Sequence, residues 1–159
     1  MTTGQKRQKA LEIISRKDNG RLLTYLNSCV HCGLCAESCI FYLTNKDPKF
    51  IPARKVDLVA SVYRRYNTLT GKLVPGLTGA RELDGDTIKE MIDTLYGACT
   101  MCGRCSIHCS IGIDIAYVVR AGRSMLATMD LVPATLQSTV MAAIETGNNM
   151  AIPKEDLVD

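Results

Sequence analysis

Cys29-Val-His-Cys32-Gly-Leu-Cys35-Ala-Glu-Ser-Cys39 and Cys99-Thr-Met-Cys102-Gly-Arg-Cys105-Ser-Ile-His-Cys109 are two copies of one spacing, C-x2-C-x2-C-x3-C, and together they use all eight cysteines of the chain. Glycine follows the second cysteine in each copy, as Gly33 and Gly103. A residue without Cβ lets the backbone turn tightly there and aim amide N–H groups at sulfur.

Four thiolates at this spacing are the arrangement of a bacterial-type ferredoxin, in which three close cysteines wrap one face of an iron–sulfur cubane. The remaining iron needs a ligand from elsewhere, and in two-cluster ferredoxins the fourth cysteine of each run serves the opposite cluster. On that logic Cys29, Cys32, Cys35 and Cys109 bind one 4Fe-4S cluster, and Cys99, Cys102, Cys105 and Cys39 bind the other. Structural zinc also takes four cysteines, but its usual grammar is two C-x2-4-C pairs without a trailing fourth. A disulfide framework requires an oxidising compartment, whereas the chain opens on Met1 and the polar Thr2-Thr3-Gly4-Gln5-Lys6-Arg7 with no apolar signal segment. That opening, with no twin-arginine signal, leads to an expectation of a cytoplasmic protein.

The 159 residues, 47% of them hydrophobic, suffice for one substantial core, with the clusters as internal cross-links. No apolar run reaches about 18 residues, so membrane association is expected only indirectly, through partners. The formal charge is +3 with cysteines neutral. Each oxidised cubane with its thiolates carries on the order of −2, which brings the assembled protein to about −1. Nucleic acid is therefore not an expected partner, despite Arg54-Lys55 and Arg64-Arg65, which read as a solvated helix face or a docking patch.

Residues 5–17 offer Ala10, Leu11, Ile13 and Ile14 for packing, as a helix or a partner-binding arm, before the turn signal Asp18-Asn19-Gly20. The stretch 51–63 reads as a helix with Pro52 in its first turn and Val56, Val59, Ala60 and Tyr63 as its buried stripe. From Asn67 to Asp86 the glycines and Pro75 break any period, and a long loop is expected. Thr87 and Glu90 form a capping box for a helix whose inner face is Ile88, Met91, Ile92 and Leu95. Asp114 caps a further helix carrying Ile115, Val118, Val119, Gly122, Met125 and Leu126 on one stripe, and Gly122 permits close approach. Pro133 opens a last helix, with Leu136, Val140, Ala143 and Ile144 on one side and Gly147 as its stop. No stretch sustains strand alternation.

The fold expected is thus mainly α: an all-helical dicluster ferredoxin-like domain, or α-helical ferredoxin, with two cluster-binding loops. An N-terminal arm or helix spans 1–20, the 4Fe-4S dicluster domain 21–146, and a C-terminal tail suited to partner contact 147–159. His31 and His108 lie inside the runs. Eight cysteines already satisfy eight irons, so the histidines read as partly exposed loop residues or tuning groups near a cluster. Arg104 either stabilises a reduced cluster by charge or points to water. Met91, Met101, Met125, Met129 and Met141 read as core before docking surface.

About 60 residues separate the two runs, as in the dicluster modules of succinate dehydrogenase-like and heterodisulfide reductase-like proteins. The helical surroundings and Cys109-Ser110-Ile111-Gly112-Ile113-Asp114-Ile115 resemble the C-subunit group of the heterodisulfide reductases. That group also includes the C subunits of anaerobic glycerol-3-phosphate dehydrogenases and the sulfite-reductase-linked K subunits. The resemblance covers about residues 20–152 and includes Thr146-Gly147-Asn148-Asn149-Met150-Ala151-Ile152, which looks like the junction where larger relatives continue into a cysteine-rich catalytic half. Ile40 and Ser110 stand where relatives commonly carry proline, a change that removes a φ constraint but no ligand. No two cysteines are adjacent, so the Cys-Cys-Gly signature of the catalytic partner is missing from this sequence. The resemblance implies a non-catalytic electron-transfer subunit with two 4Fe-4S clusters. It would relay single electrons between a flavin/iron–sulfur protein like the heterodisulfide reductase A subunits and a cysteine-rich protein like the B subunits. An iron–sulfur subunit of a quinone-linked glycerol-3-phosphate or 2-hydroxy acid dehydrogenase is the alternative.

Overall fold

A computed structural model describes residues 2–15 and 19–156, and among these there is no strand. Asp18 of the expected Asp18-Asn19-Gly20 turn lies outside the described residues. The helices run in the order α1 (Thr3–Ser15), α2 (Gly20–Ser28), α3 (Ile40–Asn45), α4 (Pro52–Asn67), α5 (Leu69–Leu73), α6 (Pro75–Thr78), α7 (Gly85–Met91), α8 (Arg104–Ile107), α9 (Ile115–Thr128) and α10 (Ala134–Thr146). The mainly helical, dicluster ferredoxin-like reading is the observed architecture.

Helix α4 begins where Pro52 pre-sets φ and needs no hydrogen-bond partner. Its expected stripe is buried at Val56, Val59 and Ala60, but Ala53, Leu58, Ser61 and Val62 are buried too, so the helix is enclosed on most of its circumference. Helix α9 packs against α1, α2 and α4. All six residues of its predicted stripe are buried, and the Asp114 carboxylate accepts the Tyr117 N–H at 3.0 Å as the expected cap. Helix α1 buries Ala10 and Ile14 in the same core, so the N-terminal segment is a packed helix and no free arm.

Three local expectations need correction. The stretch from Asn67 to Asp86 is not one long loop, because the breakers punctuate it into short helices. Thr68 caps α5 by accepting the Gly71 N–H at 3.1 Å, Pro75 opens α6, and Gly79 ends it at φ 63°. The cap of α7 is Asp84 and not Thr87. Asp84 accepts the Thr87 N–H at 2.8 Å, which holds its carboxyl below the usual range, while Thr87 itself is buried inside the first turn. Glu90 therefore has no capping duty and pairs instead with Arg81 and Arg54. The third correction concerns Lys55, which is buried and belongs to no solvated face; its neighbour Arg54 does reach the surface, at Glu90.

Helix α7 continues through a π-helical segment, Ile92–Gly97, that delivers the chain to Cys99. Such widened turns recur at functional sites. Arg123 of α9 fastens this junction, donating to the Leu95 carbonyl at 2.9 and 2.8 Å and to the Cys99 carbonyl at 2.5 Å. Met91 and Met125 are fully buried, Met101 and Met129 pack against the core, and Met141 is exposed. Helix α10 starts after Pro133 and stops at Gly147, φ 82°, as expected, yet none of its residues is buried. Its predicted inner side faces out: Ile144 is 71% exposed, and Leu136 and Val140 are exposed as well.

Candidate cluster-binding site

The two cysteine runs fold into the same loop. Cys29 ends α2 in extended conformation, and His31 and Gly33 then take positive φ of 54° and 84° on either side of Cys32. In the second run Met101 and Gly103 do the same at 57° and 77° around Cys102. A short helical turn follows each time, with the Ala36 N–H bonded to Gly33 O and the Ser106 N–H to Gly103 O, both at 2.9 Å. Positive φ suits the glycines but costs a histidine or methionine about 1–3 kcal/mol, so its presence at equivalent positions in both loops marks a demanded shape.

That shape turns amides toward sulfur. Met101 N lies 3.4 Å from Cys99 Sγ, and Ile113 N lies 3.4 Å from Cys109 Sγ. In the first run the His31 amide faces Cys29, and the Leu34 amide holds the Cys32 thiol below its ordinary pKa. Burial raises Cys29 and Cys35 and pushes Cys105 up to about 11. Concave arrays of backbone N–H groups of this kind favour anionic sulfur.

The loops meet across the fold to form two cavities. One is lined by Cys29, Cys32, Cys35 and Cys109, with Ala53, Val56, Ile113 and Ile115 as apolar wall. The other is lined by Cys39, Cys99, Cys102 and Cys105, with Phe41, Pro52 and Ala116. Each cavity therefore draws three cysteines from one run and the fourth from the other. Helix α4 stands between them, giving Ala53 and Val56 to the first and Pro52 and Lys55 to the second.

The donor chemistry fits the groups expected from the sequence. Around each cavity four cysteines line an apolar wall, and backbone N–H donors lie beside their sulfurs. Three cysteines of one run with the fourth of the other match the ligand pattern of a two-cluster ferredoxin, and not the paired C-x2-4-C of structural zinc.

His31 Nε2 lies 2.9 Å from both Asp57 carboxylate oxygens, so this histidine is tied outward to α4. His108 and Arg104 are exposed. The Ser110 hydroxyl sits 3.8 Å from Cys32 Sγ. Large apolar side chains surround the loops in solvent, among them Val30, Ile40 and Ile111, with Ile107 83% exposed. Cys32 and Cys102 are the exposed cysteines of the two runs.

Sequence reasoning missed Lys55 and Arg123. A signal for Lys55 existed, since Lys55, Val59 and Val62 fall at i, i+4 and i+7 and so share a buried stripe. Nothing in the sequence alone distinguishes Arg123 from any other basic residue in the middle of a helix.

Helices carrying two C-x2-C-x2-C-x3-C loops that share their cysteines between two cavities define a helical iron–sulfur domain of the dicluster class. The chain belongs to the 4Fe-4S dicluster domain family, which matches residues 25–113. It is 39% identical over 128 residues to the Hdr-like menaquinol oxidoreductase iron-sulfur subunit 2 of Archaeoglobus fulgidus, a match covering 80% of this chain and 23% of that protein. The Hdr-like menaquinol oxidoreductase iron-sulfur subunit of Archaeoglobus profundus is 39% identical over 134 residues, 84% of this chain and 24% of that protein. The D subunit of the dihydromethanophenazine:CoB–CoM heterodisulfide reductase of Methanosarcina barkeri is 30% identical over 117 residues, 73% of this chain and 27% of that protein. The matched region thus spans about a quarter of the length of these curated relatives. No solved structure matches the chain significantly. The chain is accordingly a 4Fe-4S dicluster domain similar to part of the iron–sulfur subunits of heterodisulfide reductase-like proteins. Among the described residues no helix is long and apolar enough to cross a membrane.

Proposed function

We propose that the protein relays single electrons through two 4Fe-4S clusters in a heterodisulfide reductase-like complex of the cytoplasm. Cys29, Cys32, Cys35 and Cys109 hold one cluster, and Cys39, Cys99, Cys102 and Cys105 hold the other. The observation that carries this reading is the pair of cavities, each ringed by three cysteines of one run and one of the other.

When bound, each cluster supplies reversible one-electron chemistry. The chain does the rest. The loop amides stabilise thiolate charge, and the walls formed by Val56, Ile113 and Ile115 on one side and Phe41, Pro52 and Ala116 on the other keep water away. Arg123 and the helices around α9 make the loops rigid, so that little reorganisation accompanies a change of charge. The exposed apolar residues beside Cys32 and Cys102 suit transient docking of redox partners.

Those partners are a flavin/iron–sulfur donor like the heterodisulfide reductase A subunits and a cysteine-rich acceptor like the B subunits. Two relatives are iron–sulfur subunits of Hdr-like menaquinol oxidoreductases, and this favours a second arrangement in which electrons come from a quinol through a membrane partner. The partners that co-purify separate the two. Anaerobic purification with iron, acid-labile sulfide and zinc analysis, followed by EPR of the dithionite-reduced protein, tests the relay. About eight irons, eight sulfides and interacting reduced-cluster signals are expected. Zinc without labile sulfide would overturn it.

A further inference from the structure

Lys55 sits in the wall of the cavity lined by Cys39, Cys99, Cys102 and Cys105, with only 2% of its surface exposed. Its Nζ donates to the Phe50 carbonyl at 3.2 Å, and Cys39 Sγ lies 3.7 Å from the same oxygen. Among the described residues no carboxylate stands within ion-pair distance of it. A buried ammonium with one neutral acceptor is poorly compensated, and removing it from water is justified only by a nearby negative charge. The thiolates of this cavity, carrying an iron–sulfur cluster, are the anionic group within reach.

The other cavity has no such neighbour. Its lining residues carry no lysine or arginine, and Asp57 of α4 pairs at 2.9 Å with His31 of that lining. Whatever the charge on His31, that pair contributes zero or negative charge. Helix α4 therefore places a cation against one cavity and an acid beside the other, two positions apart.

We propose that Lys55 sets the two clusters at different potentials, making the one held by Cys39, Cys99, Cys102 and Cys105 the more easily reduced. Adding an electron makes that cluster more negative, and a fixed cation in a low-dielectric wall favours the added charge. An electron entering at the Cys29–Cys35 side passes to the Cys99–Cys105 side, oxidising the first site by one and reducing the second by one, with no bond made and no proton moved. The inference rests on the two-cluster reading above and assigns a thermodynamic direction between the two sites.

The test is an EPR-monitored redox titration of the anaerobically purified, cluster-loaded protein. The wild type is expected to give two separated midpoints. Lys55→Met should lower the upper midpoint by at least about 59 mV, a tenfold loss in the reduction equilibrium for a one-electron couple, and leave the lower one in place. Lys55→Arg should keep the wild-type values. Lys55→Gln, which retains a donor for Phe50 O without the charge, is the substitute if Lys55→Met does not load clusters, and it should shift the same midpoint downward. A single coincident wave in the wild type overturns the proposal, as does an uncharged variant that moves neither midpoint or moves both equally. Loss of clusters from both uncharged variants while Lys55→Arg loads normally also overturns it, in favour of a role in assembly alone. A wild-type preparation lacking labile sulfide instead refutes the two-cluster reading itself.

Discussion

Gly122 of α9 meets Leu95 of the π-helical segment so closely that a Cβ added at 122 would stand 2.6 Å from Leu95 Cδ1, and 3.0 Å from Val59 Cγ2. Leu95 and Val59 are fully buried, so neither can swing aside into space. Gly122→Ala gains helix propensity of about 1 kcal/mol, but overpacking at such a contact costs about 1–3 kcal/mol. A net loss of roughly 1 kcal/mol is expected in chemical denaturation, because the clash forces the Cys99 approach away from α9.

Cys109→Ala should empty the cavity it shares with Cys29, Cys32 and Cys35 and spare the one lined by Cys99, Cys102 and Cys105. Iron and sulfide should fall to about half, with one reduced-cluster signal remaining and its spin coupling gone. Loss confined to the Cys99–Cys105 cluster would contradict the shared-ligand arrangement.

The raised thiol of Cys105 gives the cluster-free protein a defined pH dependence. Its folded-state value of about 11 exceeds the ordinary 9.0 because burial disfavours the thiolate. The folded state therefore holds its proton more tightly than the unfolded state, and the stabilisation is complete below the unfolded value and lost as pH rises from 9.0 to about 11. Thermal melts of apo protein across that window should show a falling midpoint, and Cys105→Ser should flatten the decline.

The same contrast predicts labelling order. Cys32 is exposed and held low by the Leu34 amide, whereas Cys105 is half-buried and raised. Iodoacetamide should modify Cys32 well before Cys105 in the cluster-free protein, and the difference should vanish in denaturant.

Asp114 joins three elements: its carboxylate caps α9 at Tyr117, accepts the Ser106 hydroxyl of α8 at 3.2 Å, and pairs with Arg21 of α2 at 3.2 Å. Asp114→Ala should cost about 1–2 kcal/mol, at the upper end of a cap deletion. Asp114→Asn, which keeps an acceptor oxygen, should recover most of it, as read from denaturation midpoints.

Much of this architecture was legible in the sequence wherever one short-range rule governs a segment. The stripe of α9 and its Asp114 cap follow from spacing alone, and so do Pro52 and Gly147 as helix boundaries. The α7 cap went astray because two acceptors, Asp84 and Thr87, lie within one turn, and only the path of the preceding chain selects Asp84. Breakers between Asn67 and Asp86 were visible, but a single turn of helix between them carries no period to read. Lys55 was misjudged because charge on a helix usually means water, and its burial depends on a cavity built from segments about 50 residues away. The apolar side of α10 follows from helical spacing, while no partner buries it among the described residues of this chain.

The borrowing of one cysteine by each cavity also imposes a schedule on synthesis. Cys29, Cys32 and Cys35 leave the ribosome 74 to 80 residues ahead of Cys109. At usual elongation rates that interval is on the order of 4–15 s, during which the first loop holds three thiols and no fourth. Neither cavity has its full ring until translation has passed the second run, so under the proposed ligand assignment iron delivery waits for both loops to emerge, with the nascent thiols kept reduced until then.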